Sequence, residues 1–299
     1  MIIQPLDLIK TFDNKPAALD FVLPGLLSGT VAMLAAPGAA GKSFLALQSA
    51  MSISCGNDLF NIWGEHPLPG HTLVLAVEDP AEILQHRIHN IGTTITEPER
   101  AMIAERMAVM PLFGNSFGVA CKNANGIFES AWIEEIIKYC KDVSVRLIII
   151  DTLNRSLGGL DENSNGDMGA LLAIFESISK KTGAAIMILH HMNKGSVRDG
   201  ATDQAASRGA SALVDNCRWS AGMMTMTPGE AEKRGIPEDQ RRSWVKLDLS
   251  KINYSKPESV RWLRRSHGGM LVGDEPPKVA QVSKGGKNAG RKAGGTDEL

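Results

Sequence analysis

Runs of apolar residues alternate with segments of helical period along most of this chain. Residues 30–54, TVAMLAAPGAAGKSFLALQSAMSIS, read as a short apolar strand, a glycine-rich turn and a helix. Residues 72–77, within HTLVLAVEDP, form a continuous apolar run rich in β-branched residues, as a parallel strand covered on both faces should. The pattern returns in RMAVMPL, VRLIIIDTL and AAIMILHH. Between these runs the spacing predicts helices in AEILQHRIHNIG, in residues 97–106 behind the cap Thr96, in ESAWIEEIIKYCK and in MGALLAIFESISKKTG, which closes at Gly183. The buried side of ESAWIEEIIKYCK would carry Trp132, Ile133, Ile136, Ile137 and Cys140. NDLFNIWGEHPLPG, GNSFGVACKNANG and residues 152–166 read as loops, and LVDNCRWSAGMM as a strand with Arg218 within it. RRSWVKLDLSKINYS and ESVRWLRRSHGGMLVG alternate apolar and charged positions with the period of antiparallel strands. The order predicts an α/β fold: a central, mostly parallel sheet flanked by helices, with C-terminal antiparallel strands.

Residues 1–20 are set apart as an arm, with Leu6, Leu8, Ile9 and Phe12 apolar and Pro16 interrupting them. Such an arm packs on its own domain or docks on a neighbouring subunit, and the spacing leaves both open. Residues 21–273 form the folded domain, and residues 274–299, rich in Pro, Gly and Lys, lack the apolar content to fold. This basic tail is expected to be disordered and to add salt-sensitive affinity for anionic partners. With 43% hydrophobic and 22% charged residues, the rest should build a globular core. A net charge of −1 excludes a globally basic nucleic-acid binder and leaves local patches open. The cysteines Cys55, Cys121, Cys140 and Cys217 are too far apart for a zinc knuckle or ribbon and read as buried, reduced thiols, as suits a cytoplasmic protein. No apolar run approaches the roughly 20 residues that cross a bilayer. The N-terminus contains acidic residues and no small-residue cleavage site, so a soluble, intracellular protein is expected.

The chemistry gathers at the ends of the apolar runs. Gly41-Lys42-Ser43, between a strand and a helix, has the form of a phosphate-binding loop. Its backbone, from Pro37 and Gly38 through Ala39, Ala40 and Gly41 to Phe44, would cradle phosphates, with Lys42 on the β- and γ-phosphates and Ser43 on Mg²⁺. The full pattern asks for glycine where Ala36 stands. A plain turn entering a helix would also read Gly-Lys-Ser, but the strand before and LALQSAMSI after favour the nucleotide. Glu78 ends the second run and would polarise a water for attack on the γ-phosphate; alternatively Glu78 and Asp79 cap the following helix. Asp151, behind four apolar residues, matches the strand-ending aspartate near Mg²⁺. His190 and His191 end another run, where a phosphate-sensing hydrogen bond competes with a histidine satisfied in the core; no partner stands at zinc-ligand spacing. His86 and His89 read as surface or interface residues. Lys194, Arg198 and Arg208, spaced among small residues, suit a nucleic-acid backbone or a solvated loop. Arg218 in an apolar strand needs an acid, a carbonyl or a neighbour's nucleotide as partner.

These segments resemble the RecA-type ATPase core and, more closely, the RepA-type hexameric DNA helicases of IncQ plasmids. The resemblance runs from LDFVLPGL to RWLRRSHGGML and rests on PGAAGKSFLALQ, AVEDP, IIDTL, ILHH, QAASRGASALVDNCRW and SKINY. It implies ATP and Mg²⁺ as cofactors, Lys42 and Ser43 on phosphate and metal, Glu78 as catalytic base and Asp151 at the metal. It also implies His191 as γ-phosphate sensor and Arg218 as a finger reaching the neighbouring subunit's site. The family works as a homohexameric ring around single-stranded DNA during plasmid replication, where an initiator or primase is a further partner. A RecA-like, DNA-stimulated ATPase acting as loader or mediator without unwinding is the competing reading. A small-molecule kinase is disfavoured, because no acceptor-binding lid follows ILHH.

Overall fold

Backbone pairing gathers the apolar runs into one nine-stranded sheet. The computed structural model describes residues 4–124, 126–192, 213, 216–256 and 260–279. A short helix α1 (Leu8–Asp13) and a ribbon of β1 (Phe21–Leu23) and β2 (Leu26–Leu27) precede β3 (Val31–Ala36) and α2 (Lys42–Cys55). Next come β4 (His71–Ala76), α3 (Ala81–Gly92), α4 (Glu97–Arg106) and β5 (Met107–Pro111). A small hairpin of β6 (Ala120–Asn123) and β7 (Gly126–Glu129) leads to α5 (Trp132–Val143) and β8 (Val145–Asp151). Then follow α6 (Asn165–Thr182), β9 (Ala185–His191) and β10 (Trp219–Thr225). The C-terminal part adds α7 (Pro228–Arg234), α8 (Glu238–Arg241), β11 (Trp244–Ile252), β12 (Arg261–Arg265) and β13 (Leu271–Gly273).

The sheet order is β13-β12-β11-β10-β3-β9-β8-β4-β5. From β10 to β5 every pair is parallel, whereas β11, β12 and β13 join antiparallel. Side-chain alternation sorts the central strands between two cores. Ala32 and Leu34 of β3 pack with Leu45 and Met51 of α2, while Val31 and Met33 pack with Ile136 of α5 and Phe175 of α6. Burial on both faces is why these strands read as unbroken apolar runs. Helix ends follow local chemistry. Thr96 and Glu99 form a capping box on α4, Ser164 caps α6, and Gly183 closes α6 in the left-handed conformation.

Several local expectations are corrected. Arg218 is not inside a strand: it sits exposed at a bend, and β10 begins at Trp219, behind helical Leu213 and Asn216. Its exposure removes the need for a buried partner. The segment read as a plain loop after α2 contributes Phe60, Ile62 and Trp63 to the core. There the Asp58 carboxylate accepts from the backbone N–H groups of Ile62, Trp63 and Gly64, and the Trp63 indole donates to Ser49. GNSFGVACKNANG contains β6, whose outward face leaves Cys121 exposed. Cys55 is half-buried, so the buried-thiol expectation holds for Cys140 and Cys217 only. Helix α1 buries none of its residues, and Leu6, Leu8, Ile9 and Phe12 are all exposed.

Candidate active site

The C-terminal ends of β3, β4, β8 and β9 meet at one edge of the sheet. Ala36 pairs in register with His191, and Ala76 with Asp151. Beyond β4 the N–H groups of Val77 and Glu78 both donate to the Asp151 carbonyl, at 2.7 and 3.3 Å. Glu78 is thereby set beside the end of β8. After β3 the chain turns through Ala39 (φ 61°) and Gly41 (φ 103°) into α2. No side chain caps α2, and the first-turn N–H groups of an uncapped helix are donors available to an anion. Ala36 is the last residue of β3 and fully buried, with no left-handed backbone to adopt. Glycine's freedom is therefore not required at that position.

Lys42, 6% exposed, points its ammonium at the His191 ring, 3.1 Å from Nδ1 and 3.2 Å from Nε2. His191 Nε2 lies 3.5 Å from Glu78 Oε2. Burial pulls the Lys42 amine below its ordinary range, against the opposing pull of Asp151 and Glu78. Asp151 is buried too, and burial pushes its carboxyl up, opposed by a hydrogen bond with the Ser43 side chain and by the Lys42 charge. Asp151 Oδ1 has no hydrogen-bond partner although it is buried. An orphaned carboxylate oxygen near a hydroxyl suits a hard cation that takes oxygen ligands. Among the described residues no cluster of three or more His, Cys, Asp or Glu side chains forms a metal-binding set. Magnesium commonly completes its shell from phosphate and water, so Ser43 and Asp151 fit it.

A cleft of about 240 Å³ runs past these groups, between the turn of Ala39, Gly41 and Phe44 and the side chains of Glu78, His191, Arg87 and Arg265. Neither Glu78 nor Asp79 caps α3, whose N-cap is Pro80. Asp79 instead forms a two-point ion pair with Arg87, whose guanidinium lies 5.5 Å from the centre of the Phe44 ring. The two histidines divide the readings they shared. His190 is buried against Glu162, at 3.5 Å, and burial together with the charges of His191 and Lys42 pulls it down to about 4. His191 lines the cleft.

Lys42, Ser43, Glu78, Asp151 and His191 are thus brought together. Arg218 does not line the cleft; its backbone carbonyl accepts from Asn253 N. Lys194, Arg198 and Arg208 lie outside the described residues. Sequence reasoning missed Arg87, Asp79 as its partner, and Arg265. The spacing of Asp79 and Arg87 across the first turns of α3 was a usable signal, whereas Arg265 looked like any other cation in RWLRR. A larger, mostly apolar cavity, of about 380 Å³ beside Ile88, Ile103 and Met107, is lined by no carboxylate.

Comparison with known proteins agrees with this architecture. The AAA domain family matches residues 3–197. Among solved structures the chain is similar to one described as an ATPase domain, with a TM-score of 0.57 and 11% identity, over 90% of this chain and 96% of that one. It is also similar to a chain from "The Structure Of A DnaB-Like Replicative Helicase And Its Interactions With Primase", with a TM-score of 0.55 and 11% identity. That match covers 82% of this chain and 57% of the other, so this chain spans little more than half of that relative's length. The shared feature is the fold, an α/β core built on a mostly parallel central sheet.

Proposed function

The chain belongs to the AAA domain family, and from that premise we propose that it is an ATP hydrolase serving as the motor of a DNA helicase. The observation that carries the proposal is the convergence of Lys42, Ser43, Glu78, Asp151 and His191 on one cleft at the carboxyl edge of a parallel sheet. That edge is where open α/β sheets bind ligands. The uncapped start of α2 and Lys42 bind the phosphates, and the backbone from Pro37 to Phe44 encloses them. Ser43 and Asp151 would hold Mg²⁺, which would supply charge neutralisation at the phosphates. Glu78 positions the attacking water and takes its proton. His191 lies between Glu78 and Lys42 and ends β9 just before the segment carrying Lys194, Arg198 and Arg208. That placement suits a group that couples phosphate occupancy to DNA held by those three cations.

The finer parts of the proposal follow the resemblance. Subunits assemble as a homohexameric ring on single-stranded DNA, residues 1–20 reach a neighbouring subunit, and Arg218 completes the adjacent ATP site. Residues 21–273 are the motor domain; of the basic tail beyond it, residues 280–299 lie outside the described residues, while Pro276 is buried and the Pro277 carbonyl accepts from Arg234. The work is IncQ-like plasmid replication in the cytoplasm, beside an initiator or primase. No helix among the described residues is long and apolar enough to cross a membrane.

ATP turnover with and without single-stranded DNA, together with strand displacement on a forked duplex, tests this reading. Stimulated turnover with displacement is expected, and Lys42→Ala should abolish both. Retained turnover in Lys42→Ala sinks the site. Stimulated turnover that never displaces a strand replaces the helicase with a DNA-dependent loader or mediator.

A further inference from the structure

Arg265 closes β12 and reaches back over the phosphate-loop turn. Its Nη2 donates to the Ala39 carbonyl at 2.7 Å and its Nε to the Arg242 carbonyl at 3.3 Å. Its Nη1 lies 3.3 Å from the point where a Cβ on Gly41 would sit. Among the described residues Nη1 has no acceptor, and no carboxylate stands within ion-pair distance of Arg265. The other cations of the cleft are balanced. Arg87 is neutralised by Asp79, and Lys42 is attracted by Asp151 and Glu78. Burial pulls Arg265 below its ordinary range, and no nearby anion opposes that pull. Carrying an uncompensated charge into a cleft is costly unless a ligand brings the opposite sign.

The position of this guanidinium is fixed by more than its own hydrogen bonds. Arg265 pairs in register with Leu271 of β13. Leu271 is tied to α2 by the buried Gln48 side chain, which donates to its carbonyl at 2.7 Å and accepts from its N–H at 2.9 Å. The Leu271 side chain also packs over Gly41, 3.2 Å from the same Cβ point. A strand pair bolted to the phosphate-loop helix thus holds a planar donor fork ready, and preorganisation lowers the entropic cost of a contact.

We infer that Arg265 is a second cationic contact to the phosphates of a bound nucleoside triphosphate, supplied in cis by the antiparallel C-terminal strands. It lies beyond residues 3–197, the span shared with the AAA domain family. The inference rests on the cleft being a nucleotide site.

Equilibrium binding of fluorescent ATP by the full chain, titrated at several KCl concentrations, tests it with R265Q, R265K and K42A beside the wild type. R265Q should weaken binding about tenfold, as expected for one charge-assisted hydrogen bond, and flatten the dependence of affinity on salt. R265K, which keeps the charge and loses the fork, should fall between R265Q and the wild type. Because Gln48 holds β13 independently, the melting temperature of the nucleotide-free protein should be unchanged in both. R265Q binding ATP as tightly as the wild type overturns the inference. Weaker binding with an unaltered salt slope also overturns it, since Arg265 would then only prop the Ala39 carbonyl. If wild-type protein binds no ATP, or K42A binds it equally well, the nucleotide site itself falls and this inference with it. Wild-type binding that K42A abolishes and R265Q leaves intact removes Arg265 alone.

Discussion

Ala36 and Gly41 bracket the same turn and place opposite demands on the backbone. Ala36 is buried in strand conformation, so Ala36→Gly gives up chain entropy and a packed methyl without gaining a needed conformation. It should cost about 0.5–1 kcal/mol in urea unfolding and leave ATP turnover unchanged; a rise in turnover would mean that position 36 does need glycine. Gly41 has φ 103°, with Leu271 and Arg265 atoms 3.2 and 3.3 Å from a Cβ. Gly41→Ala should therefore cost about 1–3 kcal/mol and weaken nucleotide binding as well, read by urea unfolding and ATP titration. A third residue sets a pH dependence. Burial holds folded His190 down to about 4, so between its ordinary range and that value the unfolded chain binds the extra proton. Stability from this residue is present above the ordinary histidine range and is lost as pH falls toward 4, by up to about 3 kcal/mol. The raised carboxyls of Asp151 and Glu162 act in the opposite direction. The difference between wild type and His190→Gln in urea unfolding isolates the histidine, and the variant's profile should be flatter from pH 7 to 4.5. Parallel profiles would mean that His190 is not buried neutral.

The elements that were legible are those whose own side chains report their burial. β3, β4, β8 and β9 lie between two cores, so their sequences are apolar without interruption. α3 spans the whole of AEILQHRIHNIG, and α4 follows its Thr96 cap. Because parallel strands carry ligands at their carboxyl ends, reading those runs correctly also placed Lys42, Glu78, Asp151 and His191 at one edge. What stayed hidden depends on contacts far apart in sequence. Phe60, Ile62 and Trp63 sit in an irregular segment whose shape comes from one Asp58 carboxylate, and no periodicity records that. Arg218 looked like a strand residue because the apolar run around it hides a bend at the start of β10. The joint between α2 and β13 was equally invisible: Gln48 meets Leu271 across 223 residues. Removing it leaves a buried carbonyl and N–H unpaired, so Gln48→Leu should cost about 2–4 kcal/mol in urea unfolding. Affinity for ATP should fall as well, because β12 and Arg265 lose their anchor. Unchanged stability would show the joint to be replaceable by apolar packing.

For the whole molecule the open chemistry is the site's missing side. The cleft has its own lysine, hydroxyl and carboxylates, yet Arg218 stands exposed at the start of β10 and outside it. In the proposed ring, this exposed arginine is the group that a neighbouring subunit would lend to another chain's site. Helix α1, with every residue exposed and Leu8, Ile9 and Phe12 uncovered, is a second surface that a ring would use. Two kinds of defective subunit separate this arrangement from a self-sufficient monomer. Lys42→Ala removes phosphate binding from its own site, and Arg218→Ala removes only what is lent to a neighbour. Arg218→Ala alone should bind ATP nearly normally and lose most of its turnover, since a finger of this kind contributes about 10³-fold or more. In a mixture of the two variants, some interfaces pair an intact phosphate loop with an intact Arg218. Turnover should therefore reappear on mixing, with a maximum near equal proportions, in material shown by light scattering to be mixed rings. Confirmed mixed rings that stay inactive would place the stimulating arginine elsewhere, and single-subunit particles with full turnover would remove the ring altogether.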